Sequence, residues 1–300
     1  MGLTAFDEAT AVRRCGDGRY AVQPDQRFAL VAPGASVPPV VNGGVMIATM
    51  LRAVLDTSPL PHPVATSAHF LRVAQLTPAL VDVTWLKQGR TAATARATMS
   101  QDGQPVLEAT VTTGSVPGGQ PGGPPAARDG LTWTAAAPRL PPPEECVDLG
   151  PWPGTVAPDG AAGYAAQVRL LLDPAVTGWK QRQPAGIPEM RGYFGLREDR
   201  DPDAYLLALA VDGMPPAVFG LGAMGWAPTV ELTWLMRRVP APGLLRVATR
   251  CRHVSGGWFD EEAEVWDSSG QLVAQSRQLA RVGRGEFRGA PDQALAAGAG

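Results

Sequence analysis

Cysteine and histidine are scarce in this 300-residue chain, at three residues each, and the shortage excludes several chemistries. Cys15, Cys146 and Cys251 form an odd, widely spaced set with no CxxC pair. Neither a disulfide framework nor a zinc site is expected from them, and a reducing, cytoplasmic location is. His62 and His69 lack metal-ligand spacing, so no metal is proposed and no other cofactor is called for. An excess of one charge is also missing: 26 Lys and Arg face 28 Asp and Glu, and the basic residues are scattered. Nucleic acid and an anionic membrane are therefore disfavoured as partners. The apolar helix candidates fall short of the roughly 20 residues that cross a bilayer. The opening MGLTAFDEATAVRR has no apolar signal core. No GxSxG occurs anywhere, which excludes a nucleophile elbow of the α/β-hydrolase type.

What the chain does have is apolar residues, at 45%, with 35 Gly and 30 Pro. Its length exceeds the usual domain of about 100 to 200 residues, so two units or a duplicated one are expected. Residues 6–31 read as a strand pair turning at Gly16-Asp17-Gly18, and Pro33 to Pro39 as loop. Asn42 can cap a helix that begins Gly43-Gly44 and carries the stripe Ile47, Met50, Leu51, Val54 and Leu55. Val45, Met46 and Ala48 extend its apolar surface almost all round, so other structure should wrap it. Four strands follow, at 64–73, 79–87, 91–100 and 105–113, with hairpin chemistry at Asp102-Gly103.

The stretch GSVPGGQPGGPPAARDG is too rich in Gly and Pro for regular structure and reads as a linker. Beyond it the order repeats. Strands are expected at 164–172 and 190–196, then a helix capped by Asp201 with Pro202 at its first position, then strands at 229–237, 244–253, 258–266 and 271–282. Phe70-Leu71-Arg72 parallels Leu235-Met236-Arg237, and Asp102 to Val106 parallels Ser269 to Val273, both at an offset of about 165 residues. One helix followed by antiparallel hairpins is an α+β pattern. A helix wrapped by a curved antiparallel sheet, made twice, is the double hotdog. The expected division is a first hotdog at 1–114, a linker at 115–160, a second hotdog at 161–284 and a flexible tail at 285–300.

Between Asp203 and Glu231 the only residue charged at neutral pH is Asp212, amid Leu207, Leu209, Val211, Met214 and Val218. A carboxylate in such company must be hydrogen-bonded, shifted in pKa or placed at a mouth that admits water. The residues alone allow a general base or an Asp-Gly turn before Pro215-Pro216. Gln278 falls on the strand face of Leu272, Ala274, Ser276 and Ala280, where an inward carboxamide needs partners. Asn42-Gly43-Gly44 could stabilise a developing oxyanion with exposed helix-end amides, or be a cap with tight packing. The GxGxxG match at Gly220 to Gly225 follows a helix and precedes a strand, the reverse of a dinucleotide site. Cys251 and His253, two apart on one strand, read as core packing.

Four stretches carry a family resemblance: Asn42-Gly43-Gly44, Ala68-His69-Phe70-Leu71-Arg72, Gln101 to Val106, and Leu272 to Gln278. In order and spacing the chain resembles the double-hotdog acyl-CoA thioesterases related to bacterial acyl-CoA thioesterase II. The resemblance implies a water-activating Asp, Thr and Gln in the second hotdog, here Asp212, Thr229 and Gln278. Strand alternation puts Thr229 on the face of Glu231 and Thr233, away from its own helix. The implied reaction is hydrolysis of an acyl-CoA, or acyl-carrier, thioester by an activated water. The rival expectations are a non-catalytic acyl-binding hotdog, and a hotdog dehydratase, which would need His253 beside Asp212. A homo-oligomer fits either architecture.

Overall fold

The computed structural model describes residues 2–30, 39–118, 133–151 and 163–282. Most of the loop expected at 33–39, residues 119–132 and 152–160 of the linker expected at 115–160, and the tail expected at 285–300 lie outside the described residues. The chain opens on a helix, α1 (Ala5–Ala9), instead of the strand expected there. Thr4 caps it by accepting the Asp7 N–H, and Asp7 and Glu8 occupy the first turn, where the helix dipole favours acids. Strands β1 (Arg13–Gly16) and β2 (Arg19–Val22) follow, then the short pair β3 (Ala29–Leu30) and β4 (Val40–Val41). Helix α2 (Gly43–Asp56) precedes β5 (His62–Phe70), β6 (Ala79–Gln88), β7 (Ala93–Gln101) and β8 (Gln104–Gly114). Asp102 and Gly103 have φ of 48° and 71°, the left-handed pair that closes a two-residue hairpin with the sheet's twist.

The second half brings β9 (Val147–Asp148), α3 (Gly163–Gln167), β10 (Val168–Leu172) and β11 (Glu189–Leu196), then α4 (Ala204–Ala210) and β12 (Thr229–Met236). It closes with β13 (Leu245–Arg250), β14 (Val254–Ser255), β15 (Trp258–Trp266) and β16 (Leu272–Arg281). Two expectations are corrected here. Residues 163–167 are helical, so the strand expected from Tyr164 begins only at Val168. Helix α4 is capped by Asp203, not Asp201, because the Asp203 carboxylate accepts from the N–H groups of Tyr205 and Leu206 at 3.0 and 2.9 Å.

All the longer strands belong to one antiparallel sheet, in the order β1-β2-β6-β7-β8-β5-β12-β16-β15-β13-β11-β10-β9. Its centre is the pairing of β5 with β12, where Leu232 faces Ala68. On either side of that seam the order mirrors itself, so the fold is α+β, a double hotdog. Helix α2 is buried from Gly44 to Leu51. It can lie close to the sheet because the core face of β7 starts with three small residues, Ala93, Ala95 and Ala97, all fully buried, before Met99 and Gln101. Burying Ile47 or Leu51 completely contributes about 1.5–3 kcal/mol each. The two helices meet at glycine: a Cβ on Gly44 would lie 2.9 Å from the Leu209 Cα, so only glycine lets the start of α2 approach α4 this closely.

Candidate active site

Helix α4 stops at Ala210, and the chain turns so that Asp212 points at the start of α2. A Cβ on Gly43 would lie 2.7 Å from Asp212 Oδ2. The carboxylate therefore sits directly over the first residue of α2. The Asp-Gly-Met-Pro-Pro segment is fixed by two features. Tyr164 on α3 donates its hydroxyl to the Gly213 carbonyl at 2.9 Å, and a Cβ on Gly213 would lie 2.6 Å from both that hydroxyl and the Phe194 ring. Pro215-Pro216 then leads into a 3-10 turn at Ala217–Leu221.

Thr229 reaches the same place by a device that simple alternation misses. The register of β12 against β16 slips between Thr229 and Glu231. The extra residue is Val230, and such a bulge re-aims the residue before it. Thr229 thereby leaves the Glu231 and Thr233 face and donates its hydroxyl to Gln278 Oε1 at 2.8 Å. Gln278, on the inward face as expected, donates from Nε2 to Glu261 Oε1 at 2.9 Å. Glu261 Oε2 accepts the Ala217 N–H at 2.6 Å.

Glu261 carries no role in the sequence reading, although its signal is present. It shares the inward parity of β15 with Phe259, Ala263 and Val265, all buried, so period two alone marks a carboxyl pointing into the core. It is 4% exposed and stands opposite Gln278 across the ladder.

Burial pushes the Asp212 carboxyl up to about 7, opposed by hydrogen bonds from the Gly44 N–H and the Thr229 hydroxyl. Burial likewise pushes Glu261 up to about 7; the Ala217 and Gln278 hydrogen bonds oppose it, and the nearby Asp212 and Asp260 carboxyls add to it. The Thr229 hydroxyl lies within reach of both Asp212 and Gln278 but has one proton to give. Asp212 keeps part of its surface open to a cavity while protein encloses its other sides.

That cavity has a volume of about 960 Å³. Asp212, Thr229, Glu261 and Gln278 line it together with Asn42 and Gly43, and apolar walls come from residues such as Met46, Phe70, Trp179 and Phe219. Asn42 is occupied as a cap, its Oδ1 accepting the Val45 N–H at 3.0 Å. Gly222 to Gly225 form a left-handed turn in the cavity wall, with no strand-to-helix glycine loop. His253 does not line the cavity; its N–H donates to Asp260, whose carboxylate also takes the Arg252 N–H. The dehydratase expectation thus loses its acid-base partner.

The same positions in the first half are apolar. Gln278 faces Glu261 and Leu232 across its two ladders, and in the mirrored register Val111 faces Ala95 and Thr66. Val111 and Ala95 thus stand where Gln278 and Glu261 stand. Among the described residues the Gln278–Glu261 pair has no polar counterpart in the first half.

A family model described as the acyl-CoA thioesterase C-terminal domain matches residues 143–282, and one described as the acyl-CoA thioesterase N-terminal domain matches 32–114. An uncharacterised protein of Mycobacterium tuberculosis is 31% identical over 262 residues, covering 82% of this chain and 87% of that protein. Among solved structures, a Thermobifida fusca protein provisionally assigned as a thioesterase II is 36% identical, with a TM-score of 0.81 over 95% of this chain and 99% of that one. A hotdog-fold protein of Alicyclobacillus acidocaldarius, 23% identical, has a TM-score of 0.74 over 95% of this chain and all of that one.

Proposed function

Because the chain belongs to the acyl-CoA thioesterase family, we propose that it hydrolyses an acyl-CoA thioester to a free acid and coenzyme A by direct attack of water. The observation that carries this reading is the convergence of Asp212, Thr229 and Gln278 on one largely apolar cavity at the start of α2. Asp212, ionised, takes a proton from a water held against Thr229 and Gln278. The hydroxide oxygen bonds to the thioester carbonyl carbon, and the carbonyl electrons move onto oxygen. The backbone N–H of Gly43, which the Asn42 side chain leaves uncapped and which faces the cavity, is the donor for that oxyanion, while the Gly44 N–H is given to Asp212. Collapse of the intermediate breaks the C–S bond, and the departing thiolate recovers the proton from Asp212.

Apolar walls suit the acyl chain. The exposed Arg72, Lys180 and Arg182 also line the cavity and suit the phosphates of coenzyme A. The reading is tested by incubating the purified protein with acyl-CoAs of graded chain length and measuring thiol release. Release with at least one chain length is expected. Tight binding of acyl-CoA without release from any of them would favour the non-catalytic acyl-binding alternative and overturn the hydrolase reading.

A further inference from the structure

Glu261 is one of the least solvated carboxyls in the described residues, yet both of its oxygens are committed. Oε1 takes one proton of the Gln278 amide at 2.9 Å, and Oε2 takes the Ala217 N–H at 2.6 Å. A carboxylate is the side chain that accepts on both oxygens at once; a carboxamide would have to turn its NH2 toward one of the two donors. By taking the Nε2 proton, Glu261 decides which way the Gln278 amide lies. The Oε1 end is left facing Thr229, the orientation in which a carbonyl oxygen is available to a hydroxyl or a water.

The groups around this pair are few. From the α4 turn comes Asp212, and from α3 the Tyr164 hydroxyl, spent on the Gly213 carbonyl. Asp260, the neighbour of Glu261 on β15, spends its carboxylate on the Arg252 and His253 N–H groups. No cation pairs with Asp212 or Glu261 among the described salt bridges. Both carboxyls line the same cavity, and the Asp212 charge adds to the upward push on Glu261 with no cation paired to either.

We propose that Glu261 is a positioning residue for the reaction: it locks the Gln278 carboxamide with its oxygen toward Thr229, and its negative charge stands beside Asp212 as the second carboxyl of the site. The first part acts on the bound water's geometry and so on kcat. The second acts on the protonation of Asp212. A like charge nearby disfavours ionisation, so removing it favours the ionised base and moves the acid limb of kcat/KM to lower pH. The proposal rests on the hydrolase reading above.

The experiment compares wild type, Glu261→Gln, Glu261→Asp, Gln278→Ala and the Glu261→Asp/Gln278→Ala pair across pH, with thermal melts to confirm folding. For Glu261→Gln the expected result is a kcat about 10- to 100-fold lower, the worth of a hydrogen bond to a charged group. Its acid limb should fall by about one pH unit. Glu261→Asp keeps the charge but is one carbon short, so its kcat should fall while its acid limb stays in place. That loss of kcat should vanish in the Gln278→Ala background, because the residue through which it acts is gone. Wild-type kcat in Glu261→Asp, or a loss fully additive with Gln278→Ala, would overturn the positioning role. An unmoved acid limb in a folded Glu261→Gln would overturn the charge role. If Glu261→Gln does not fold, the Glu261→Asp cycle still decides the positioning role, and an acid limb displaced in Glu261→Asp refutes the charge role. A wild type inactive on every acyl-CoA would instead be a failure of the hydrolase reading, visible before any variant is made.

Discussion

Lowering the pH from 8 to 5 should reduce kcat/KM for acyl-CoA hydrolysis by about 100-fold, a fall that an ordinary aspartate would not produce. Asp212 must be ionised to take a proton from water. Burial pushes its carboxyl from 3.8 up to about 7, and the Gly44 N–H and Thr229 hydroxyl offset only part of that. At pH 5, two units below the raised value, about 1% of the sites carry the ionised base, against about 90% at pH 8. An unperturbed carboxyl would still be more than about 90% ionised at pH 5, so its profile would be nearly flat over the same range. Glu261 is also raised to about 7, so the two carboxyls titrate as a pair and the limb reports the pair's apparent value. The assay is the initial rate of thioester loss, followed by its ultraviolet absorbance at substrate concentrations well below KM. Melting temperatures at each pH confirm that the protein stays folded. A rate unchanged between pH 5 and 8 would refute the reasoning, since it would mean that no group titrating near 7 has to lose a proton.

Three further predictions follow from the same geometry. Gly43→Ala places a Cβ 2.7 Å from Asp212 Oδ2 and 3.1 Å from the Phe70 ring, so the carboxylate must move; kcat should fall by about 100-fold, as a 1 Å misplacement can cost, with the far-ultraviolet circular dichroism unchanged. Asp212→Asn removes a carboxyl that the fold prefers protonated, a penalty absent below the unfolded pKa near 3.8 and fully developed above about 7. The shift of about 3 units sets an upper bound of about 4 kcal/mol; because the group opens onto the cavity we expect about 2, read as a higher urea midpoint at pH 8 and no difference at pH 4. Asp7 ties α1 to Arg52 of α2 at 2.6 Å and to Arg200 at 3.0 Å. Burial alone would raise its pKa, but hydrogen bonds from Arg200, Thr4 and Arg52 hold it well below the usual carboxylate range. Its stabilisation is therefore present above pH 4 and lost as the pH falls below it; Asp7→Ala should cost about 3 kcal/mol in urea unfolding at pH 7 and much less at pH 2.

The architecture was legible because both halves write it in long-period patterns. The stripe from Ile47 to Leu55 and the hairpin at Asp102-Gly103 set element types that tertiary contacts had no reason to override. Asp212 and Gln278 were legible by contrast: one is an isolated charge in an apolar stretch, the other a carboxamide on an apolar face. Strand alternation alone puts Thr229 on the wrong face, because a bulge at Val230 changes the parity of β12 at its first residues and nothing local in Pro228-Thr229-Val230 announces it; only the family resemblance points to Thr229. Glu261 could have been found, since it alternates with Phe259, Ala263 and Val265, but Asp260, Glu262 and Glu264 around it make the segment look like a solvated charge run. The start of α4 was placed two residues early because Asp201 and Asp203 are equal candidates by type. The bonds from Asp203 to Tyr205 and Leu206 decide between them.

The central claim is that water, aimed by Asp212, attacks the thioester directly. It is tested most directly by a single turnover in oxygen-18 water, with enzyme in excess over acyl-CoA, followed by mass spectrometry of the released acid. Direct attack predicts one oxygen-18 atom in essentially every acid molecule, and a rate at least about 100-fold lower in Asp212→Asn. Acid released without oxygen-18 in that first turnover would mean that its new oxygen came from a carboxylate of the protein through a covalent anhydride. That result would contradict the account.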